Sequence, residues 1–484
     1  MIINAELLLQ YQRCKRRPFL DTHGDDSQRD DPHELLVKVQ QDKIAYQKSI
    51  IYNLPYLQPD FPQGDWRQAF TATLELMHQG VEYIYRGVLL ATYAEEYTLL
   101  SRPDLLVKQP GKSCFGDWLY MPVDIQLGKR PKQEYQVAAA FHGEILSAVQ
   151  ESLVAEAGLI LRNRDTTYPV DLDKWTPQML NILAEYIQVL ESPEPPELFI
   201  ARQKCSLCHW YNYCYKSAQS QQHLSLLPGV TPIRYTQLQE LSKTSLQTLA
   251  QTHPSTLENL IGFDPEIASK LIVQAQSTLT KTPLILPYVE PTTSIINTAS
   301  IELYFDIEAQ PDLNLNYLLG VLVVDRQTNT ENFHSLLAEN PEQEGLIWQQ
   351  FLDLVNQYPH APIYHFCNYE VETIKKLGNL YNTPYTAIHP ILTRCVDIYE
   401  QLIQNVALPI ESYALKAIAK WLGFAWRDSE ANGAKCIYWY DQWLETGDRQ
   451  FLELIQRYNE DDCRATLKVK DWLFNFLKTE LINR

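Results

Sequence analysis

No apolar run in the sequence approaches the ~18 residues that a membrane-crossing helix needs, so a membrane protein of that kind is excluded. No G-x-x-x-x-G-K-S/T stretch occurs, which leaves the chain without a P-loop motor of its own. Basic residues are in the minority, with 41 Lys and Arg against 59 Asp and Glu and a formal net charge of −18. That balance opposes non-specific nucleic-acid binding over the whole surface, because affinity for phosphates comes from Lys and Arg. It leaves room for a local basic groove, and Arg13-Cys14-Lys15-Arg16-Arg17 and Lys129-Arg130-Pro131-Lys132 are short basic clusters. Each by itself is more often a solvated face. The stretch MIINAELLLQYQRCKRRPF has no charged segment ahead of a hydrophobic core and no clear cleavage site, so no signal peptide is expected. The nine cysteines, an odd number, then suit a reducing, cytoplasmic compartment, as free thiols or metal ligands rather than disulfides.

With 484 residues, 45% hydrophobic and 21% charged, the composition is that of a soluble globular chain of two to four domains. The most informative stretch is Leu303-Tyr304-Phe305-Asp306-Ile307-Glu308-Ala309, an apolar β-type run with two carboxylates two residues apart. On a strand the side-chain period is two, so Asp306 and Glu308 share a face. Like charges side by side on a buried strand call for a cation, and oxygen-only ligands suit Mg²⁺ or Mn²⁺. An exposed edge strand with two solvated acids is the alternative.

Around this run, residues 292–484 read as β-β-β-α-β-α and then further helices. The strands are the Asp306 run, Asn316–Val324 and Thr330–Leu337. The helices and strand that follow are Pro341–Asn356, Ala361–Phe366 and Asn368–Leu380. Ser412–Leu422 and the long Phe451–Leu477 are helical. The last helix carries Tyr458-Asn459-Glu460-Asp461-Asp462, and Tyr458 and Asp462, four apart, share a helical face. In this order and these motifs the region resembles the DEDD exonucleases of ribonuclease-H-like fold, specifically the YprB-type branch with Y-x₃-D in its third motif. The resemblance implies that Asp306, Glu308, Glu370 and Asp462 hold two divalent ions ~4 Å apart for phosphodiester hydrolysis, with Tyr458 orienting water. For the second motif, Glu370 stands in Ile363-Tyr364-His365-Phe366-Cys367-Asn368-Tyr369-Glu370, and Asp397 is a second candidate. His365 reads as a core residue.

Residues 1–220 begin with a helix from Ala5 to Tyr11, an acidic loop from Asp21 to Asp31 and a helical stretch over 33–50. The β-type runs Val81–Ala91, Tyr97–Lys108 and Trp118–Leu127 are expected to neighbour one another in one sheet. Helices follow at Glu134–Leu153 and Trp175–Leu190. Asp104 and Asp124 lie in those strands, one acid from each of two strands with a helix behind. This resembles the RecB-like branch of the PD-(D/E)XK nucleases, an α/β/α fold, and implies that Asp104 and Asp124 are catalytic metal ligands. Gln126 stands where the family has Lys, and offers hydrogen bonds in place of charge. Lys129, His33 and Tyr46 are residues that could serve the same site. The family's Q-x-x-x-Y appears here as Gln136 followed by Ala140 and Phe141. Cys205-Ser206-Leu207-Cys208, with Cys214 after it and Cys14 near the start, matches the layout of iron–sulfur RecB-like nucleases. The implied cofactor is a [4Fe–4S] cluster on Cys14, Cys205, Cys208 and Cys214, with Zn²⁺, and His209 as a ligand, the alternative. Cys114, Cys367, Cys395, Cys436 and Cys463 read as isolated thiols.

Residues 221–290 hold two short helical units, one opening at Leu224-Ser225-Leu226-Leu227-Pro228-Gly229-Val230 and one at Leu257–Pro265. They resemble helix-hairpin-helix units, which present backbone N–H groups to DNA phosphates. A plain helical spacer is the other reading. Lys281–Pro291 reads as a stiff linker. Together these readings give an α/β multidomain chain: a metal-dependent nuclease of DNA repair or processing, with DNA favoured over RNA by resemblance. The other reading is a nucleic-acid-binding adaptor, or the partner subunit of a separate helicase, with degenerate nuclease folds.

Overall fold

The computed structural model describes residues 1–32, 34–162, 166–287 and 299–482. His33 and positions 288–298, which include the end of the Pro-rich linker and the expected start of the last domain, lie outside the described residues. The chain divides into two compact units, Met1–Ala218 and Gln219–Arg484. Among the described residues no helix is long and apolar enough to cross a membrane.

The first unit opens with β1 (Ile2–Asn4), α1 (Ala5–Arg13), α2 (Arg16–His23), α3 (Glu34–Ile51), β2 (Tyr56–Leu57) and α4 (Trp66–His78). The stretch expected to be an acidic loop is thus helical as far as His23, with a further 3₁₀ turn at Asp26–Gln28. Then come β3 (Tyr83–Tyr85), β4 (Leu89–Tyr93), β5 (Tyr97–Ser101), β6 (Leu105–Ser113) and β7 (Gly116–Gln126). The unit closes with α5 (Gln133–Val149), β8 (Glu156–Leu161), β9 (Tyr168–Asp171), α6 (Leu172–Glu191), α7 (Arg202–Cys205) and α8 (Tyr211–Ser220).

The expectation of one sheet built from three neighbouring runs is corrected. Two of the runs each split between two sheets, ordered β1-β5-β4 and β2-β3-β6-β7-β8-β9. The first breaks at Arg86, whose φ is +52°, so the chain leaves one sheet and enters the other. The second breaks at Arg102-Pro103, where proline has no N–H to extend a ladder. Helix α5 fills the space between, packing on β4 and β5 of one sheet and on β7 and β8 of the other. It is buried on nearly all sides, from Tyr135 to Leu146, as its Ala- and Val-rich sequence requires. It also makes the crossover that lets β7 and β8 run parallel.

In the second unit, α9 (Pro232–Glu240), α10 (Leu246–Ala250) and α11 (Pro265–Thr280) come first. Leu224, Leu227, Gly229, Thr231 and Pro232 recur in the same spacing as Leu257, Leu260, Gly262, Asp264 and Pro265. Both glycines are left-handed, at φ +89° and +85°, and Thr231 and Asp264 each cap the helix that follows. Arg234 joins the two turns, donating from Nε to the Gly262 carbonyl and from Nη1 to the Gly229 carbonyl, both at 2.7 Å.

The remainder is β10 (Leu284–Ile285), β11 (Ile301–Gln310), β12 (Leu315–Asp325), β13 (Thr330–Leu337), α12 (Glu344–Asn356), β14 (Ile363–His365) and α13 (Tyr369–Leu380). It continues through α14 (Tyr385–Leu392), β15 (Cys395–Asp397), α15 (Ile398–Asn405), β16 (Val406–Ala407), α16 (Leu415–Trp421), α17 (Gly433–Thr446) and α18 (Arg449–Ile482). The main sheet runs β13-β12-β11-β14-β15, antiparallel in its first three strands and parallel in the last three. Strand β12 is buried from Leu315 to Val324, as a central strand covered on both faces must be. Leu303, Phe305 and Ile307 pack with α12 and α13, while Tyr304 and Leu322 pack with α15 and α18. Fully buried Lys470 of α18 donates to Glu302 of β11 at 2.6 Å, and Arg326 donates to the same carboxylate. A buried charge without its partner is strongly unfavourable, so this pair holds α18 in one register on the sheet.

Candidate metal centre

Asp306 and Glu308 point from β11 toward α18, the face opposite Phe305 and Ile307. From α18, Asp462 meets them, and oxygens of Asp306, Glu308 and Asp462 lie within 4.8 Å of one another. Glu308 and Asp462 are buried. Burial raises the carboxyls of Asp306 and Glu308 well above the ordinary range, and repulsion from Asp462 and from each other's neighbours adds to it. Burial also pushes Asp462 up to about 7, although Trp426, Tyr458 and Lys416 favour its ionised form. The Trp426 indole donates to Asp462 Oδ1 at 2.7 Å, and the Lys416 ammonium lies 5.3 Å from the Tyr458 ring centre.

Glu370, at the start of α13, stands outside the three-acid group but close enough for its charge to raise both Asp306 and Glu308. Its Oε2 is buried without a hydrogen-bond partner, 3.6 Å from His365 Nδ1. His365 is itself buried, with Nδ1 against the Cys367 carbonyl at 2.6 Å. Asp397, the other candidate for the second motif, is engaged elsewhere. Its Oδ1 accepts from the N–H groups of Cys367 and Tyr399 at 2.9 Å, so it caps α15. Glu460 and Asp461, the other acids beside Asp462, are paired with Arg427.

Asn459 completes the centre and was not singled out from the sequence. It is fully buried, and its Nδ2 donates to Asp306 Oδ2 at 2.7 Å. Gly320 lies directly across from Asp306 in the β11–β12 register, and a Cβ there would overlap Asn459 Oδ1. The available signal was position: Asn459 precedes Asp462 by three residues, so the two share a helical face. Cys436 of α17 is buried against Glu308 and hydrogen-bonds to its carboxylate. Trp426 and Lys416 lie in segments without any motif. Three acids around one point with Glu370 beside them, oxygen donors only, and an unpartnered buried carboxylate oxygen on Glu370 fit hard divalent cations.

In the first unit, Asp104 and Asp124 also come together. Asp104 Oδ1 accepts from Gln47 Nε2 at 2.6 Å and Oδ2 from the Ile125 N–H at 2.7 Å, while Asp124 Oδ1 accepts the Asp104 N–H at 3.4 Å. Burial pushes each carboxyl to about 6, and repulsion from Asp124 adds to the rise at Asp104. Behind them is His142 of α5, Nε2 3.7 Å from Asp124 Oδ2 and Nδ1 2.8 Å from Ser101 Oγ, its pKa lowered by burial to about 4. Tyr46 packs into the apolar cluster of Ile51, Tyr85 and Leu105. Gln126 ends β7, and Gln136 donates to the Pro131 carbonyl at 3.0 Å.

Cys14, Cys205 and Cys208 each act electrostatically on Cys214, so the four thiols share one neighbourhood. Among the described residues these thiols do not form a group at single-ion spacing. Arg16 and Arg17 lie beside them; neither Nε makes a hydrogen bond, and Arg17 Nε is ion-paired with Asp21 Oδ2 at 3.7 Å. His209, offered above as a zinc ligand, is committed through Nε2 to Asp21 at 2.6 Å. Four thiols in one neighbourhood are a donor set of the kind that holds a metal centre.

Residues 303–474 match the RNase_H superfamily, so this part of the chain is a ribonuclease-H-like domain. No curated protein matches the chain. Among solved structures, one titled "Crystal structure of SSO0001" aligns at 12% identity, over 44% of this chain and 85% of that one, with a TM-score of 0.23, too loose a likeness to carry weight.

Proposed function

We propose that the second unit is a metal-dependent nuclease of the DEDD exonuclease kind, acting 3′–5′ on single-stranded DNA in repair or processing. The observation that carries this reading is the convergence of Asp306, Glu308 and Asp462 on one point of a ribonuclease-H-like domain, with Glu370 beside it. Asp306, Glu308, Glu370 and Asp462 would hold Mg²⁺ or Mn²⁺, which when bound supplies Lewis acidity to the attacking water and the leaving oxygen. Asn459 sets the orientation of Asp306, Trp426 that of Asp462, and Tyr458 positions water at the Asp462 carboxylate. Residues 1–220 form a RecB-like domain with a [4Fe–4S] cluster on Cys14, Cys205, Cys208 and Cys214, and 221–290 a helix-hairpin-helix segment. The chain has no P-loop, so a separate helicase is the natural source of single strands.

The test uses end-labelled single-stranded DNA with Mn²⁺ and the full chain. Wild type should release mononucleotides from the 3′ end, and Asp462→Asn should lose about 10³-fold in rate. Tight binding with no cleavage by wild type would support the adaptor reading, which Gln126 and the offset of Glu370 favour.

A further inference from the structure

The acid pair of the first unit lacks the lysine that its own strand would carry, yet cations surround it. Helix α3 lays one side on the face of the sheet: Tyr46, Ile50 and Ile51 join the apolar cluster of Leu105, Val123 and Ile125. Gln47, on that face, reaches Asp104. Lys43 lies one helical turn before Gln47, so its stem runs along the same face toward the two acids. It is half-buried, and among the described residues its ammonium makes no hydrogen bond or ion pair. Its charge favours the ionised forms of both Asp104 and Asp124.

Two arginines also reach the surroundings of Asp104. Arg86 follows β3 in a left-handed conformation, φ +52°, and its N–H donates to the Asp104 carbonyl at 3.0 Å. Its guanidinium donates to Gln47 Oε1 at 3.2 Å, so one glutamine links Arg86 to the Asp104 carboxylate. Arg102, two residues before Asp104, is exposed and feels both Arg86 and Asp104. On a chain of net charge −18, three cations gathered at one acid pair are out of keeping with the rest of the surface.

We propose that Lys43, carried by α3, supplies at the Asp104–Asp124 pair the positive charge that Gln126 cannot, and that with Arg86 and Arg102 it forms a rim binding the phosphodiester backbone of single-stranded DNA. The rim extends the reading of the first unit as a nucleic-acid site and is independent of the carboxylate centre in the second. Lys43 neutralises a non-bridging phosphate oxygen, Arg102 takes the neighbouring phosphate from the exposed side, and Gln47 keeps Arg86 and Asp104 in fixed relation.

The experiment is an amine footprint. The full chain, in EDTA, is acylated briefly with and without a single-stranded DNA oligonucleotide, and peptide mass spectrometry reads each lysine. Lys43 should be protected about fivefold or more, while Lys48, exposed on the same helix, should not. Equal labelling of Lys43 with and without DNA overturns the proposal, whatever a cleavage assay gives. A second readout uses chains in which Asp462→Asn has silenced the other unit. Any Mn²⁺-dependent cleavage left there should fall about 10²-fold with Lys43→Met and be largely kept by Lys43→Arg. Residual cleavage unchanged by Lys43→Met also overturns it. Because the second unit is silenced beforehand, neither outcome bears on its own activity.

Discussion

Gly320→Ala should damage the carboxylate centre from the far side of a strand pair. The added methyl would overlap Asn459 Oδ1 and lie 2.8 Å from its Cγ and 3.1 Å from Phe333 Cε2. Asn459 is fully buried, so its side chain cannot move into solvent and must rotate within the core. Rotation breaks the 2.7 Å bond to Asp306. A hydrogen bond to a charged group is worth roughly 1.5–3 kcal/mol, and overpacking a core adds about 1–3 kcal/mol. The variant should therefore lose about 2.5–6 kcal/mol of stability, read as a denaturant midpoint shift at constant m. Asp306, released from its donor, should move by enough to lower cleavage about 10²-fold. The deciding measurement is the double-mutant cycle with Asn459→Ala. Removing the amide removes the clash, so Gly320→Ala should be nearly neutral on that background and the coupling should exceed about 1.5 kcal/mol. If the two changes add independently, or Gly320→Ala leaves stability and cleavage intact, the assignment of Asn459 as the anchor of Asp306 is wrong.

The metal-free second unit should lose stability as pH rises. Asp462 has a folded pKa of about 7 against an ordinary 3.8, so the folded state holds more protons between these values. Its stabilising share is complete below about pH 4 and lost as pH climbs through 7, and Mn²⁺ should abolish the loss; hydrogen exchange of β11 and α18 peptides checks both. Asp397→Ala should lower stability by about 0.5–2 kcal/mol, as a lost helix cap does, and leave Mn²⁺ stoichiometry in a calorimetric titration unchanged. Glu370→Ala, in contrast, should weaken Mn²⁺ binding by about 10-fold or more in the same titration. Chain purified without oxygen should be brown and contain iron and sulfide in near-equal amounts, and Cys208→Ser should lose most of both; a colourless zinc protein would refute the cluster.

The last domain was legible because its information is local and periodic. Asp306 and Glu308 declare a shared strand face, Tyr458 and Asp462 a shared helical one, and the β-β-β-α-β-α order follows from apolar runs with turns between them. The first unit was less so. A β-type run shows that a strand exists but not which sheet receives it, and the breaks at Arg86 and Pro103 divide runs that read as continuous.

What the chain determines alone is therefore which side chains can act and which face of their own element they occupy. Partnership across elements was decided by the tertiary fold: Asn459 on Asp306, Gly320 making room for it, Asp397 spent on a helix cap, Lys43 brought from a distant helix to Asp104, just before β6, and Asp124 of β7. The physical reason is that periodicity is a property of one segment. Hydrogen bonds, overlap and charge coupling depend on distances between segments, which packing sets.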